Sequence, residues 1–284
     1  MRICTTIEEA REVRAALSDQ LGFVPTMGAL HAGHRELIRR ARAENSAVAA
    51  SIFVNPTQFT SSEDFQHYPR TLDTDLEILE AAGVDLALVP DASALYPAGF
   101  STTIDVGPIT RVFEGAARPG HFQGVATVVA ILFNIIAPAR AYFGQKDAQQ
   151  VIVVRTLVND LQLPIEIVSV PTVRDRDGLA LSSRNARLTP TQRRAAVSIP
   201  RALDAVQQAW AAGERDSSAL NARARAELSS QRDITVEYLK LTDPEMFAAW
   251  SGTIDGDALV LIAATLGDVR LIDNCLLETS RPAT

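Results

Sequence analysis

The chain has 284 residues, a net charge of -7 and two cysteines, which is long enough for two domains that each bury a core. Hydrophobic residues make up 47 % and charged residues 21 %, too apolar a mixture for a disordered chain. The acidic balance argues against a nucleic-acid partner, because such proteins are usually basic.

Thr6 is placed to cap a first helix opened by Glu8 and Glu9, acids suited to the positive end of the helix dipole. No charged-then-apolar leader precedes it, so secretion is not expected. Gly22, Phe23 and Val24 begin an apolar strand. The run Pro25-Thr26-Met27-Gly28-Ala29-Leu30-His31-Ala32-Gly33-His34 then reads as strand, turn and helix, the two histidines opening a basic helix. Free N–H groups and a positive dipole end at such a turn favour phosphate.

Residues 47–54 form a small-to-apolar run ending in Ile52, Phe53 and Val54, the pattern of a strand buried on both faces. It stops at Asn55-Pro56-Thr57-Gln58-Phe59. Polar side chains at the carboxyl end of a parallel strand stand where open α/β sheets contact ligands, and simple turn chemistry is the competing use of Asn55 and Gln58. A helix over 72–82 and a strand over 84–89 follow. Glycine and proline crowd residues 90–120, which predicts a loop that is partly a mobile cover, with Arg118-Pro119-Gly120-His121-Phe122 at its surface.

An apolar helix from about Gly124 is interrupted by Thr127 and Asn134. Its longest apolar run falls short of the roughly 20 residues that cross a bilayer, so no membrane segment is expected. A strand at Arg140-Ala141-Tyr142-Phe143 ends in Gly144-Gln145-Lys146-Asp147, with Lys146 in the first turn of the next helix. A cation is disfavoured there unless an anion shares the site. Gln150 faces the same mouth, and a strand over 165–170 closes the series. Five or six strand-helix units over residues 22–171 predict a doubly wound parallel sheet.

After Val173 the composition changes, and the expected domains are 1–173 and 174–284. Helices over 190–211 and 217–230 precede strands over 236–241, 259–264 and 269–272, a smaller α+β unit with a hairpin at Gly267-Asp268. Cys4 and Cys275 show no metal-like spacing and read as reduced thiols in a cytoplasmic protein.

His31, His34, Lys146 and Arg184 supply donor or positive groups at turns, while Gly28, Gly33 and Gly144 let backbone approach a polyphosphate. Ser182, Ser183 and Arg184 can bind terminal phosphates as they depart. This is equipment for phosphoryl or nucleotidyl transfer, where positioning and charge neutralisation dominate. No nucleophile elbow, Cys-His pair or Walker loop is present. A histidine pair can also hold zinc, but no third ligand stands close in sequence, and no protein-held metal is expected.

The 25–34 run resembles the nucleotide-binding signature of the pantoate–β-alanine ligase family, within the His-x-Gly-His nucleotidylyltransferase superfamily. Phe53-Val54-Asn55-Pro56-Thr57-Gln58-Phe59, Arg118-Pro119-Gly120-His121-Phe122, Phe143-Gly144-Gln145-Lys146-Asp147, Leu181-Ser182-Ser183-Arg184-Asn185 and Arg270-Leu271-Ile272-Asp273-Asn274 agree in order. Ala32 departs from the glutamate the family commonly places between the histidines.

The resemblance implies a Rossmann-like domain with a C-terminal lid, and ligation of (R)-pantoate to β-alanine through a pantoyl adenylate, with ATP giving AMP and pyrophosphate. It implies that Met27, Gly28, Ala29, Leu30, His31, Ala32, Gly33 and His34 line ATP, with His34 and His31 catalytic beside Lys146 and Arg184. Gly144, Gln145, Lys146, Asp147, Val173, Leu181, Ser182, Ser183 and Arg184 would also bind nucleotide. Gln58, Gln150 and Asn55 would hold substrate. Mg²⁺ on the ATP phosphates, a homodimer and a cytoplasmic location are further implications. A nucleotidylyltransferase that stops at nucleotide transfer is the alternative enzyme, and a nucleotide-binding regulator without turnover the alternative outside enzymology.

Overall fold

Apolar runs without alternation become the central strands of a parallel sheet, because helices cover both of its faces. The computed structural model describes residues 1–279, which divide into two compact units, Met1–Pro171 and a second beginning at Thr172.

The first unit runs β1 (Arg2–Cys4), α1 (Ile7–Ala15), β2 (Leu21–Thr26), α2 (Ala32–Glu44), β3 (Ala47–Ile52), α3 (Ser62–Gln66) and α4 (Leu72–Ala81). It continues through β4 (Leu86–Leu88), α5 (Ala92–Leu95), α6 (Glu114–Ala117), α7 (His121–Ile136), β5 (Arg140–Gly144), α8 (Ala148–Asp160) and β6 (Glu166–Val170). The strands are all parallel in the order β1-β4-β3-β2-β5-β6. Phe23, Ala49 and Leu88 enter a core with Val129, Phe133 and Val154. Val24, Ala50 and Ala87 enter a second with Ile38 and Leu79. From β2 the chain moves outward to β3 and β4, and from β5 it moves the other way to β6. The switch point therefore lies between β2 and β5, where such sheets leave a crevice at their carboxyl ends.

Thr6 and Glu9 form the expected capping box at α1. Strand β1 was not legible, since three residues give no periodicity; its pairing to β4 makes it a strand. Helix α7 begins at His121 rather than Gly124, after Gly120 turns the chain through a left-handed conformation (φ 82°). Within residues 90–120, the stretch from 104 to 114 is hydrogen-bonded to α7 and α8. The buried Gln149 side chain donates to the carbonyls of Ile109 and Val112 and accepts from the Glu114 N–H, and Thr127 accepts from the Ile104 N–H.

The second unit holds α9 (Pro190–Ala196), α10 (Ser198–Ala211), α11 (Ser217–Ser229) and the antiparallel strands β7 (Thr235–Thr242), β8 (Ala258–Leu266) and β9 (Val269–Leu277). One helix was expected over 190–211. It breaks at Val197 because Pro200 has no N–H and its ring meets the carbonyl four residues back. Gly267 (φ 58°) makes the β8–β9 hairpin turn. Strand β9 outruns the apolar pattern because its buried Asp273 is bridged by both guanidinium nitrogens of Arg174, at 2.6 and 3.0 Å. The whole is an α/β protein with a doubly wound sheet and a smaller α+β unit. No helix among the described residues is long and apolar enough to cross a membrane.

Helix α7 packs on the turn after β3 so closely that a Cβ at Gly124 would lie 2.4 Å from the Thr57 carbonyl oxygen. Alanine normally gains up to ~1 kcal/mol over glycine inside a helix. Here we expect Gly124→Ala to lower stability by about 1–3 kcal/mol, read as a fall in the urea midpoint; a rise would contradict the close packing.

Candidate active site

The loop after β2 is held open by a carboxylate from another element. Gly28 (φ 79°) and Ala29 (φ 51°) are both left-handed, which turns successive N–H groups to one side. Buried Asp75 of α4 accepts from the Ala29 N–H at 2.9 Å and the Leu30 N–H at 2.8 Å, and Thr71 donates to it as well. A Cβ at position 28 would stand 2.9 Å from the Asp75 Oδ2, so the glycine is required twice over. Nothing in the sequence marked Asp75, whose acid reads as ordinary first-turn charge on its helix.

The two histidines cap α2 with their own rings. His31 Nδ1 accepts from the Gly33 N–H at 3.1 Å, and His34 Nδ1 accepts from the His31 N–H at 3.2 Å. Their ring centroids are 4.1 Å apart. Gly33 makes room, since a Cβ there would lie 2.8 Å from the His31 ring. With each Nδ1 accepting, each ring carries its proton on Nε2. Both side chains keep some exposed surface, yet loss of water around the rings is the main cause that lowers both pKa values, His34 to about 3. The positive charge of Lys146 lowers them further, and Asp147 opposes it. At neutral pH the pair is therefore uncharged, so of the donor or positive groups that the sequence offered, the two histidines are donors.

Lys146 lies in a 3₁₀ turn, Gln145–Asp147, just before α8 rather than within that helix. Its Nζ is 3.3 Å from the Asp147 carboxylate. Gln145 Oε1 accepts from the Ser169 hydroxyl of β6 at 2.6 Å. A Cβ at Gly144 would meet nothing within 4 Å, so open space borders that turn. Gln150 is half-buried and has no side-chain hydrogen bond among the described residues.

The turn after β3 reaches the same loop. Buried Gln58 donates from Nε2 to the Met27 sulfur at 3.0 Å, while its Oε1 accepts from Asn55 Nδ2 at 3.1 Å. Asn55, 1 % exposed, is fully committed: its Oδ1 accepts from Thr57 and from the Tyr96 hydroxyl, and Nδ2 also reaches the Gly124 carbonyl. The surface-loop reading of residues 118–122 holds for Pro119 and Gly120, which are exposed, and fails for the two residues after them. His121 and Phe122 are buried, and His121 Nδ1 donates to the Gln58 carbonyl at 2.7 Å. Burial first, and then the Arg118 charge, lower the His121 pKa to about 4.

In the second unit, Val173 and Leu181 are half-buried and joined by a 3.0 Å bond from the Leu181 N–H to the Val173 carbonyl. Ser182 caps the 3₁₀ turn Ser183–Arg187 by accepting from the Arg184 N–H. Asn185 Nδ2 donates to the Ala180 carbonyl.

Within the first unit, the histidine pair, Lys146, Met27 and Gln58 thus stand at the carboxyl ends of β2, β3 and β5. The N–H groups of Gly28, Ala29, Leu30, His31 and Gly33, which the sequence left free for phosphate, are taken by Thr26, Asp75 and the two histidine rings. Neutral ring N–H donors and a lysine at a switch point remain, and define a nucleotide-handling α/β enzyme. A family model described as pantoate-beta-alanine ligase matches residues 2–276. The pantothenate synthetase of Roseiflexus sp. (strain RS-1) is 55 % identical over 98 % of this chain and 100 % of its own. That of Chloroflexus aggregans is also 55 % identical, over the same shares. The crystal structure of pantothenate synthetase from Thermus thermophilus superposes with a TM-score of 0.93 at 47 % identity, covering 98 % of this chain and 100 % of that one. A pantoate-beta-alanine ligase from Francisella tularensis, complexed with beta-gamma ATP and beta-alanine, gives 0.79 at 36 % identity over 99 % of each chain. The chain belongs to the pantoate–β-alanine ligase family, and is a ligase of pantothenate biosynthesis.

Asp75→Asn keeps the shape but sets an NH₂ group against one loop N–H. We expect a loss of about 1.5–3 kcal/mol in urea unfolding, with a raised KM for ATP. The neutral histidines predict acid sensitivity. An unfolded histidine titrates near 6.5, above the folded values of about 3 for His34 and about 4 for His121. The unfolded chain therefore binds more protons below 6.5, and stability present above that pH falls by up to ~1.4 kcal/mol per pH unit per histidine as pH drops toward the folded values. Urea midpoints at pH 7 and 5 should fall less in the His34→Asn/His121→Asn double variant than in the native chain.

Proposed function

We propose that the chain condenses (R)-pantoate with β-alanine in two steps on one site. A pantoate carboxylate oxygen attacks the α-phosphorus of ATP, the bond to the β-phosphate bridging oxygen breaks, and pyrophosphate leaves. The β-alanine amine then attacks the acyl carbon of the pantoyl adenylate, the carbon–oxygen bond to AMP breaks, and the amine loses a proton to solvent. The observation that carries this reading is the neutral histidine pair, whose Nδ1 atoms are committed to backbone and whose Nε2–H groups remain for phosphate.

In this reading His31 and His34 stabilise charge on the reacting phosphates by donation, since carboxylate attack needs no protein base. Lys146 neutralises the phosphates. Residues 27–34 and 144–147 supply contacts to the nucleotide, and Val173, Leu181, Ser182, Ser183 and Arg184 are further nucleotide-binding residues. Gln58 and Gln150 hold pantoate. Asn55, with its amide fully bonded inside the protein, supports Gln58 rather than touching substrate. The Francisella tularensis relative, complexed with beta-gamma ATP and beta-alanine, supports the same pair of ligands here.

Mg²⁺ fits this donor set as a phosphate-bound ion. Among the described residues no three His, Cys, Asp or Glu side chains are grouped to cage a metal, and Mg²⁺ usually keeps water and substrate phosphates as ligands. It would supply charge neutralisation on the polyphosphate. Two buried thiols, Cys4 and Cys275, suit a reducing cytoplasm, and the family resemblance supports a homodimer.

The deciding assay is isotope exchange between pyrophosphate and ATP. Exchange should require pantoate, and AMP should accumulate only once β-alanine is added; exchange that never leads to AMP would favour a nucleotidylyltransferase instead. Gln keeps an N–H near the Nε2 position without a titrating ring, so His34→Gln should retain adenylation within about tenfold, whereas His34→Ala should lose about 10²–10³-fold. Equal losses in the two variants would favour proton transfer by His34.

A further inference from the structure

Gln58 carries a buried amide whose hydrogen-bonding is lopsided. Its Oε1 is well partnered by Asn55, but among the described residues the only acceptor for its two Nε2 hydrogens is the Met27 sulfur, a weak one. A buried donor left on a thioether is poised for a better acceptor, and its aim depends on what fixes its backbone. The Gln58 carbonyl takes two donors from one short segment, His121 Nδ1 at 2.7 Å and the Arg118 guanidinium at 3.2 Å. The same guanidinium lies 3.4 Å from His121 Nε2. From behind, Gly124 of α7 touches the Thr57 carbonyl and the Gln58 N–H too closely for any side chain.

Resting on the reading that Gln58 holds pantoate, we infer that Arg118 and His121 are positioning residues, gripping the Gln58 carbonyl so that Nε2 is aimed at a hydroxyl of that substrate. The ring's tautomer serves both contacts: Nδ1–H donates to the carbonyl while bare Nε2 accepts from Arg118. A charged ring would lose that acceptor and repel the guanidinium, and burial keeps the ring neutral at working pH. The buried Gln149, which ties down residues 109–114, anchors the segment that delivers both side chains. Neither Arg118 nor His121 needs to touch substrate.

The test is steady-state kinetics on the full-length enzyme at pH 8, varying pantoate, ATP and β-alanine in turn, with urea midpoints alongside. His121→Phe removes both ring contacts, and His121→Asn keeps a donor near the Nδ1 position. His121→Phe should raise the KM for pantoate about tenfold, the worth of one well-placed hydrogen bond, with the KM for ATP moving less than about twofold. His121→Asn should recover most of the loss. Added to Gln58→Ala, His121→Phe should cost little more, since both remove one aimed amide.

Additive losses in that pair, or a decline spread evenly over all three substrates that Asn does not rescue, would reduce His121 to a structural residue and overturn the inference. If Gln58→Ala raises the pantoate KM while His121→Phe leaves it unchanged, the inference alone fails. If Gln58→Ala leaves it unchanged, the assignment of Gln58 to pantoate fails and the inference with it. Should His121→Phe not fold, Arg118→Met carries the same comparison, because it removes the guanidinium contact to the carbonyl while leaving the buried ring in place.

Discussion

The capping of α2 by its own two histidines is the constraint on which the strand-end site depends. Two imidazoles stack at a helix N-terminus with each Nδ1 bound to a backbone N–H. That places both rings in one tautomer and leaves both Nε2–H groups directed away from the helix. A helix N-terminus disfavours a cation, Lys146 adds a positive charge nearby, and burial removes water. Three separate effects therefore act in the same sense, to keep the pair neutral. A neutral imidazole is a donor that needs no counter-ion, so the pair presents hydrogen bonds at the strand ends without adding charge.

The loop that delivers these groups is not self-supporting. Left-handed backbone at Ala29 carries a steric cost that glycine would avoid, and the Asp75 carboxylate offsets it by taking two loop N–H groups. On the other side of the crevice the turn after β3 is held by Asn55, Tyr96, Gly124, Arg118 and His121. Both loops thus owe their shape to side chains from distant elements, and they meet at the contact between Met27 and Gln58. Such convergence gives a site that is shaped before ligand arrives, which lowers the ordering cost of binding.

Three histidines in one unit show how hydrogen-bond context assigns chemistry to the same side chain. His31 and His34 accept at Nδ1, whereas His121 donates there. All three have lowered pKa values, with burial as the leading cause. The first two present donors outward; the third turns its ring to a backbone carbonyl and an arginine.

The sequence by itself determined the doubly wound order of strands and helices, because unbroken apolar runs and glycine turns report burial and chain reversal locally. It also marked the strand-end turns at residues 27–34 and 144–147, since glycine, histidine and lysine after an apolar run signal a turn wherever the fold puts it. It could not reveal Asp75 or Gln149, whose roles exist only through partners some 35 to 46 residues away. His121 reads as a loop residue beside proline and glycine, and only the packing of α7 on the β3 turn buries it. Strand β9 seemed to end at Ile272 because Asp273 is charged; the Arg174 bridge makes that charge tolerable inside. Tertiary structure alone decided the protonation state of the histidines as well. Charge on an imidazole is set by water, neighbouring charges and hydrogen bonds in three dimensions, and none of these is written in the order of residues.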